Sequence, residues 1–257
     1  MRTVRATRYV TPLREGGSLP AIVEADDDGL YVVKFRGAGQ GPKALIAELI
    51  GGEVGRALGL PIPELVFVDL DTALGRNEPD TEIQELITRS GGLNIASDFL
   101  PGSLGFDPET TKTFDPALAA RVVWFDAFIT NVDRTARNPN ILVWHREPWL
   151  IDHGASLIFH HTWEGYREKA QAPFAAIANH VLLRFAGPIA AVDAGMRGLL
   201  PPDVLAEIVA LVPDSWLVDA PFASPGEHCE AYVTYLQTRL DASRAFVEEA
   251  DRARPRL

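Results

Sequence analysis

Apolar positions change their rhythm along this chain. Two strand-like runs, Val4–Leu13 and Pro20–Ala25, are divided by Arg14-Glu15-Gly16-Gly17-Ser18, and a third, Tyr31–Phe35, follows. A glycine-rich turn, Gly37–Gly41, then leads to Pro42 at the start of a predicted helix over 42–58. Its apolar residues Leu45, Leu49, Ile50, Val54 and Leu58 recur at helical spacing, and Gly59 stops it. Ile83, Leu86 and Ile87 predict a helix over 82–89, and Leu93–Ala96 reads as one more strand. Asp115 and Pro116 are a helix cap and first turn, after which Leu118, Val122, Phe125 and Ile129 mark one helical face. Ile141–Trp144 and Trp149–Ile151 predict a hairpin around His145-Arg146-Glu147-Pro148. Beyond it the pattern predicts helices over 173–186, 202–211 and 228–249, broken at Pro201-Pro202 and Pro213-Asp214, with a frayed tail from Asp251.

Composition narrows the classes. A chain of 257 residues with 47% hydrophobic content is one sizeable domain or two lobes sharing a cleft. A formal net charge of −11 argues against a nucleic-acid partner, because such binders present basic surfaces, yet it leaves room for a local basic pocket. The single cysteine, Cys229, excludes an intramolecular disulfide and a Cys-based zinc site. No apolar run has the length of a signal peptide core or a membrane span, so a cytoplasmic protein without membrane contact is expected.

The densest chemistry lies at 131–154. Asp133 is followed five positions on by Asn138, and Asp152-His153-Gly154 closes the next apolar run. Phosphoryl transfer needs these parts: a carboxylate to orient or deprotonate the acceptor hydroxyl, and an amide oxygen and second carboxylate to hold Mg²⁺ against the phosphates. With 18 Asp and 6 Asn in the chain, such a pair arises by chance about 0.4 times, so spacing alone decides little. As turn formers, the same residues also suit a plain polar loop. The flanking elements change the odds. A helix delivers the chain to Asp133, the hairpin brings Asn138 and Asp152 to one end, and Gly154 permits a sharp turn after the second Asp.

Lys34 in the third strand and Glu48 two turns into the next helix fit a lysine on the α/β-phosphates held by a glutamate. Each also has a bland reading, as a solvated strand lysine and a surface helix charge. Glu53 competes with Glu48, a turn further along and on another face. The Gly16-Gly17-Ser18 tip could lay backbone N–H groups over phosphates, although Gly-Gly is more often a simple hairpin turn. Residues 97–101, with Asp98, Phe99 and Leu100, would form a hinge whose backbone meets adenine. Adjacent His160 and His161 on a strand would face opposite ways, no HExxH or Cys/His spacing is present, and His153 is expected to pack beside the magnesium site. Ser156 has no glycine elbow, and no Ser-His-Asp set stands out.

Over residues 5–160 the chain resembles the HipA-like kinases, an atypical branch of the protein-kinase-like fold. The resemblance rests on Tyr31–Phe35 with Lys34, on Glu48 leading to Arg56-Ala57-Leu58-Gly59-Leu60-Pro61-Ile62-Pro63, and on Asp133, Asn138 and Asp152. It implies an α+β, bilobal fold: a small β-rich N-terminal lobe over 1–97 and a mostly helical C-terminal lobe over 98–257. It further implies ATP and Mg²⁺ as cofactors, Asp133 as the catalytic Asp, Asn138 and Asp152 as magnesium ligands, and Lys34 on phosphate. Known members phosphorylate protein Ser or Thr. Some are toxins of toxin–antitoxin pairs, which leaves room for a separate regulatory partner. Those toxins are longer, with an extra N-terminal region, and the expectation here is of the kinase chemistry rather than the toxin role. The chain departs from ordinary protein kinases in lacking His-Arg-Asp, with Asn131 two before Asp133, in Asp-His-Gly for Asp-Phe-Gly, and in lacking Ala-Pro-Glu. The acceptor stays open between a protein and a small molecule. Nucleotidyl transfer and a catalytically silent nucleotide-binding scaffold are the rival readings.

Overall fold

The alternating first third of the chain closes into a barrel. The computed structural model describes residues 1–13, 19–39, 41–76, 78–111, 113–219 and 221–255. Strands β1 (Thr3–Pro12), β2 (Ala21–Ala25) and β3 (Leu30–Lys34) run antiparallel in sequence order. After helix α1 (Pro42–Ala57) come β4 (Leu65–Leu70), helix α2 (Thr81–Arg89) and β5 (Gly92–Asp98), giving the strand order β1-β2-β3-β5-β4. A parallel pairing of β1 with β4 closes the ring. Val4, Ala6, Val23, Tyr31, Val33, Val66, Val68 and Ala96 fill its interior, and α2 plugs one side with Ile83, Leu86 and Ile87.

A second, larger core joins α1 to everything that follows. Leu45, Leu49 and Val54 of α1 pack with Leu65, Phe67 and Ile95 on the barrel exterior and with the later helices. Those helices are α3 (Pro116–Phe128), α4 (Tyr166–Ala170), α5 (Ala190–Gly198), α6 (Pro202–Val209), α7 (Pro225–Asp241) and α8 (Ser243–Ala253). A small sheet joins β6 (Leu104–Gly105), which precedes α3 in the chain, to the hairpin of β7 (Ile141–Trp144) and β8 (Glu147–Leu150), which follows it. Helix α3 is nearly all buried, with Trp124 stacked on Phe128 at 5.3 Å, so truncating Trp124 would cost about 3–5 kcal/mol. No described helix is long and apolar enough to cross a membrane.

Several elements differ from the sequence expectation. The 141–151 hairpin turns on His145 and Arg146 alone, both with positive φ, and Pro148 sits in β8, an edge strand where its missing N–H costs no ladder bond. Strand β5 runs on to Asp98, so the connection after it begins at Phe99 rather than residue 97. The stretch 173–186 is not an α-helix. A 3-10 turn spans Ala175–Asn179, and then the Val181 N–H bonds the Arg134 carbonyl and His180 bridges Thr135. These long-range bonds override the local helical period. The helix expected over 228–249 is two, separated at Ala242, and the first begins at Pro225, where the Ser224 side chain accepts from the Glu227 N–H. His160 and His161 lie in a 3-10 turn, Ile158–His161, not a strand. The tail stays helical to Ala253, anchored where Asp251 accepts from the N–H groups of Ile189 and Ala190.

Candidate active site

Strand alternation puts Tyr31 and Val33 inside the barrel and leaves Val32 and Lys34 on the face beneath α1. There the Lys34 ammonium donates to Glu48 Oε2 at 2.5 Å and to Asp152 Oδ1 at 2.5 Å. Glu48 is buried, 5% exposed, although it sits on a helix. Its Oε2 also accepts from the His153 backbone N–H at 2.7 Å, so one carboxylate ties α1 to the segment carrying Asp152. Close approach makes this possible. A Cβ on Gly51 would lie 2.9 Å from the His153 Cβ. Glu53 points elsewhere, to Arg56.

Burial alone would pull the Lys34 pKa down, but the Glu48 and Asp152 charges raise it above the ordinary lysine value. Burial likewise pushes Glu48 up, and the Lys34 charge with the adjacent His153 side chain overrides it, holding the carboxyl well below the ordinary 4.5. A depressed folded-state pKa stabilises above the unfolded value and loses that effect as pH falls through the folded value. Glu48→Gln is therefore expected to destabilise most at neutral pH, by up to about 3–5 kcal/mol for one-sided loss of a buried pair. The deficit should shrink as pH drops below 4.5. Urea unfolding of both proteins between neutral and acid pH measures this, and a deficit independent of pH would refute it.

Helix α3 starts as expected, with the Asp115 side chain capping the Ala117 N–H and Pro116 at the first turn. After it, Asp133 Oδ2 accepts from the Asn138 side-chain amide at 2.7 Å and from that of Asn140 at 3.2 Å. The Asn138 amide nitrogen is thus turned to Asp133, which leaves its carbonyl oxygen for another partner. Asn138 and Asp152 flank β7 and β8 at the same end of the hairpin. The sharp turn falls on Asp152 itself, with φ 57°, and not on Gly154. Gly154 instead gives room: a Cβ there would sit 3.4 Å from the Lys34 ammonium and 3.4 Å from the Ala44 carbonyl. His153 does pack beside this group, its ring edge-on to Phe125.

Sequence reading passed over a buried group behind this loop. Asp126 bonds Arg134 Nε at 2.6 Å, His180 Nε2 at 2.8 Å and the Asn131 amide at 2.9 Å. Its signal was available: Asp126 is a lone charge in Val122-Val123-Trp124-Phe125-Asp126-Ala127-Phe128, an otherwise apolar helix turn.

A cleft of 590 Å³ opens over these groups, within the range of ligand pockets. Lys34, Glu48, Asn138, Asn140 and Asp152 line one end, and Val32, Ile95, Leu100, Leu142 and Ile151 supply apolar walls. Asp98 and Phe99 also line it. Their N–H groups are already bonded to the carbonyls of Glu64 and Leu30. Asp133 adjoins the cleft through Asn138 and Asn140. Gly16, Gly17 and Ser18 lie outside the described residues. Among the described residues, no group of three or more His, Cys, Asp or Glu is placed to hold a metal ion. One carboxylate and one amide oxygen suit a hard cation that keeps waters and takes phosphate oxygens, which is the habit of Mg²⁺. They do not suit a closed zinc site.

The family model described as HipA-like kinase matches residues 7–244. No curated protein matches the sequence. Among solved structures, the Helicobacter pylori proinflammatory kinase CtkA is similar with TM-score 0.56 and 13% identity, covering 96% of this chain and 95% of that one. The Golgi casein kinase with Mn/ADP bound gives TM-score 0.54 and 12% identity over 96% of this chain and 74% of that one. At such identities the likeness is one of fold: a kinase-like fold of mixed α/β content.

Proposed function

The chain belongs to the HipA-like kinase family and is a kinase, and on that premise we propose that it transfers the γ-phosphate of Mg²⁺-bound ATP to a hydroxyl, in the first instance a Ser or Thr of a protein. The observation that carries the proposal is Lys34, held between Glu48 and Asp152 at the polar end of the cleft. A lysine fixed this way presents its charge to the α/β-phosphates while the apolar walls receive the base. The barrel part of the chain, carried through Asp98 by β5, and the remainder from Phe99 act as two lobes around that cleft. With the Asp98 and Phe99 N–H groups spent internally, the Leu100 N–H is left to recognise adenine.

Asn138 and Asp152 would hold the magnesium. When bound, it neutralises charge on the transferring phosphoryl group. The Mn and ADP named for one similar structure support nucleotide and divalent-cation use here. Asp133, its Oδ2 held by two amides, directs its other oxygen to the acceptor hydroxyl and takes or orients that proton.

Lys34→Ala is expected to raise the ATP concentration needed roughly 10- to 100-fold, the equivalent of about 1.5–3 kcal/mol for a hydrogen bond to a charged group. The lysine is only 14% exposed and partners a buried Glu48, so stability should fall as well, unlike a solvated strand lysine. Calorimetry below the variant's melting transition reads the affinity, and unchanged affinity would remove Lys34 from the phosphate site. The acceptor class is tested by mass spectrometry after incubation with Mg-ATP and a lysate. Phosphate on protein Ser or Thr supports the proposal, phosphate on metabolites assigns a small-molecule phosphotransferase, and an AMP adduct assigns nucleotidyl transfer.

A further inference from the structure

Arg134, next in the chain to Asp133, is 1% exposed, and its guanidinium touches three separate segments. Its Nε donates to Asp126 on α3, and its Nη1 donates to the carbonyls of Asn140 and Ile151. Asn140 is one of the two amides on Asp133, and Ile151 immediately precedes Asp152. Asp126 in turn holds Asn131, whose side-chain oxygen accepts from the Asp133 backbone N–H at 3.0 Å. His180 Nδ1 accepts from the Leu182 N–H, so its Nε2 carries the proton given to Asp126. The Arg134 and Asp126 side chains are 0% exposed. A buried ion pair contributes little net stability, because desolvation offsets attraction. Stability alone therefore does not account for it, whereas geometry does.

We propose that Asp126, Arg134 and His180 form a positioning network that sets Asp133 and Asp152 in register, so that one buried ion pair fixes the acceptor side of the reaction relative to the metal side. The proposal rests on the kinase roles given above to Asp133 and Asp152. None of the three touches the cleft, so each acts through its neighbours. Lost register should slow the chemical step and raise the Mg²⁺ demand through Asp152, while metal-free nucleotide affinity, set by Lys34 and the apolar walls, should stay.

Two variants test it. Arg134→Lys keeps the charge and loses the fork, and the double variant Asp126→Leu with Arg134→Met removes the pair without leaving a lone buried charge. In either, once melting shows it folded, kcat should fall about 10²-fold, the effect of a displacement near 1 Å. The half-saturating Mg²⁺ should rise several-fold, and calorimetric affinity for metal-free ADP should change less than about threefold, well under 1 kcal/mol. A folded variant with near-native kcat and Mg²⁺ demand overturns the network. So does activity lost only in proportion to folded protein, and so does failure of both variants to fold, which would make it a folding requirement. Asp133→Asn judges the underlying roles separately: if it turns over like the natural protein, those roles fail, whatever Arg134→Lys does.

Discussion

Asp133→Asn is expected to slow phosphoryl transfer about 10²–10⁴-fold, the usual contribution of a positioned acid–base group, while fold and nucleotide affinity stay nearly intact. Asn is almost isosteric with Asp and keeps one side-chain oxygen to accept from the Asn138 and Asn140 amides, so packing changes little. Lys34 and the two carboxylates it donates to, Glu48 and Asp152, are untouched. What the variant removes is the second oxygen, the one able to take a proton from a hydroxyl. Single-turnover rates paired with calorimetric ATP affinity check this. An unchanged rate would remove the general-base role, and a rate lost together with the fold would point to structure instead.

Asp152→Ala is expected to have the larger effect, a loss of at least about 10³-fold, since several kcal/mol of charge stabilisation at the phosphates goes with it. Mg²⁺-dependent tightening of ATP binding should disappear with the rate. Two structural consequences must be separated from the chemistry. The variant takes one of two carboxylates from Lys34, and it puts Ala at φ 57°, a region that Asp and Asn tolerate better. Asp152→Asn keeps the backbone preference and the shape while removing the charge. If the metal role holds, it too should need more Mg²⁺ than the natural protein. If it matches the natural protein in rate and Mg²⁺ demand, the assignment of Asp152 is wrong.

Much of the fold and of the candidate site was legible because it sits at the ends of local elements. Pro42 and Pro116 mark helix starts, Lys34 closes a strand, and Asn138 and Asp152 bracket a hairpin whose register follows from its apolar residues. What escaped depends on partners distant in the chain. Strand β4 is bracketed by β1 and β5, and its parallel pairing with β1 leaves no local trace. Asp126 and His180 meet across 54 residues, and the backbone bonds of Val181 and His180 to the Asp133 loop keep 173–186 from becoming the helix its periodicity suggests. Left-handed backbone at Thr130, Asn140, Asp152 and Leu157, all non-glycine, clusters around the site, where tertiary bonds hold conformations that local preference disfavours.

The central claim is transfer of the γ-phosphate by a metal-dependent site built on Asp133 and Asp152. Its most direct measurement is incubation of the protein and its Asp133→Asn variant with Mg²⁺ and ATP labelled at either the γ- or the α-phosphate, in the presence of a protein pool. The expected result is γ-label on protein, no α-label, and loss of the γ-signal in Asp133→Asn. Transferred α-label, or ATP bound tightly by the natural protein with no label moved to any acceptor, would contradict it.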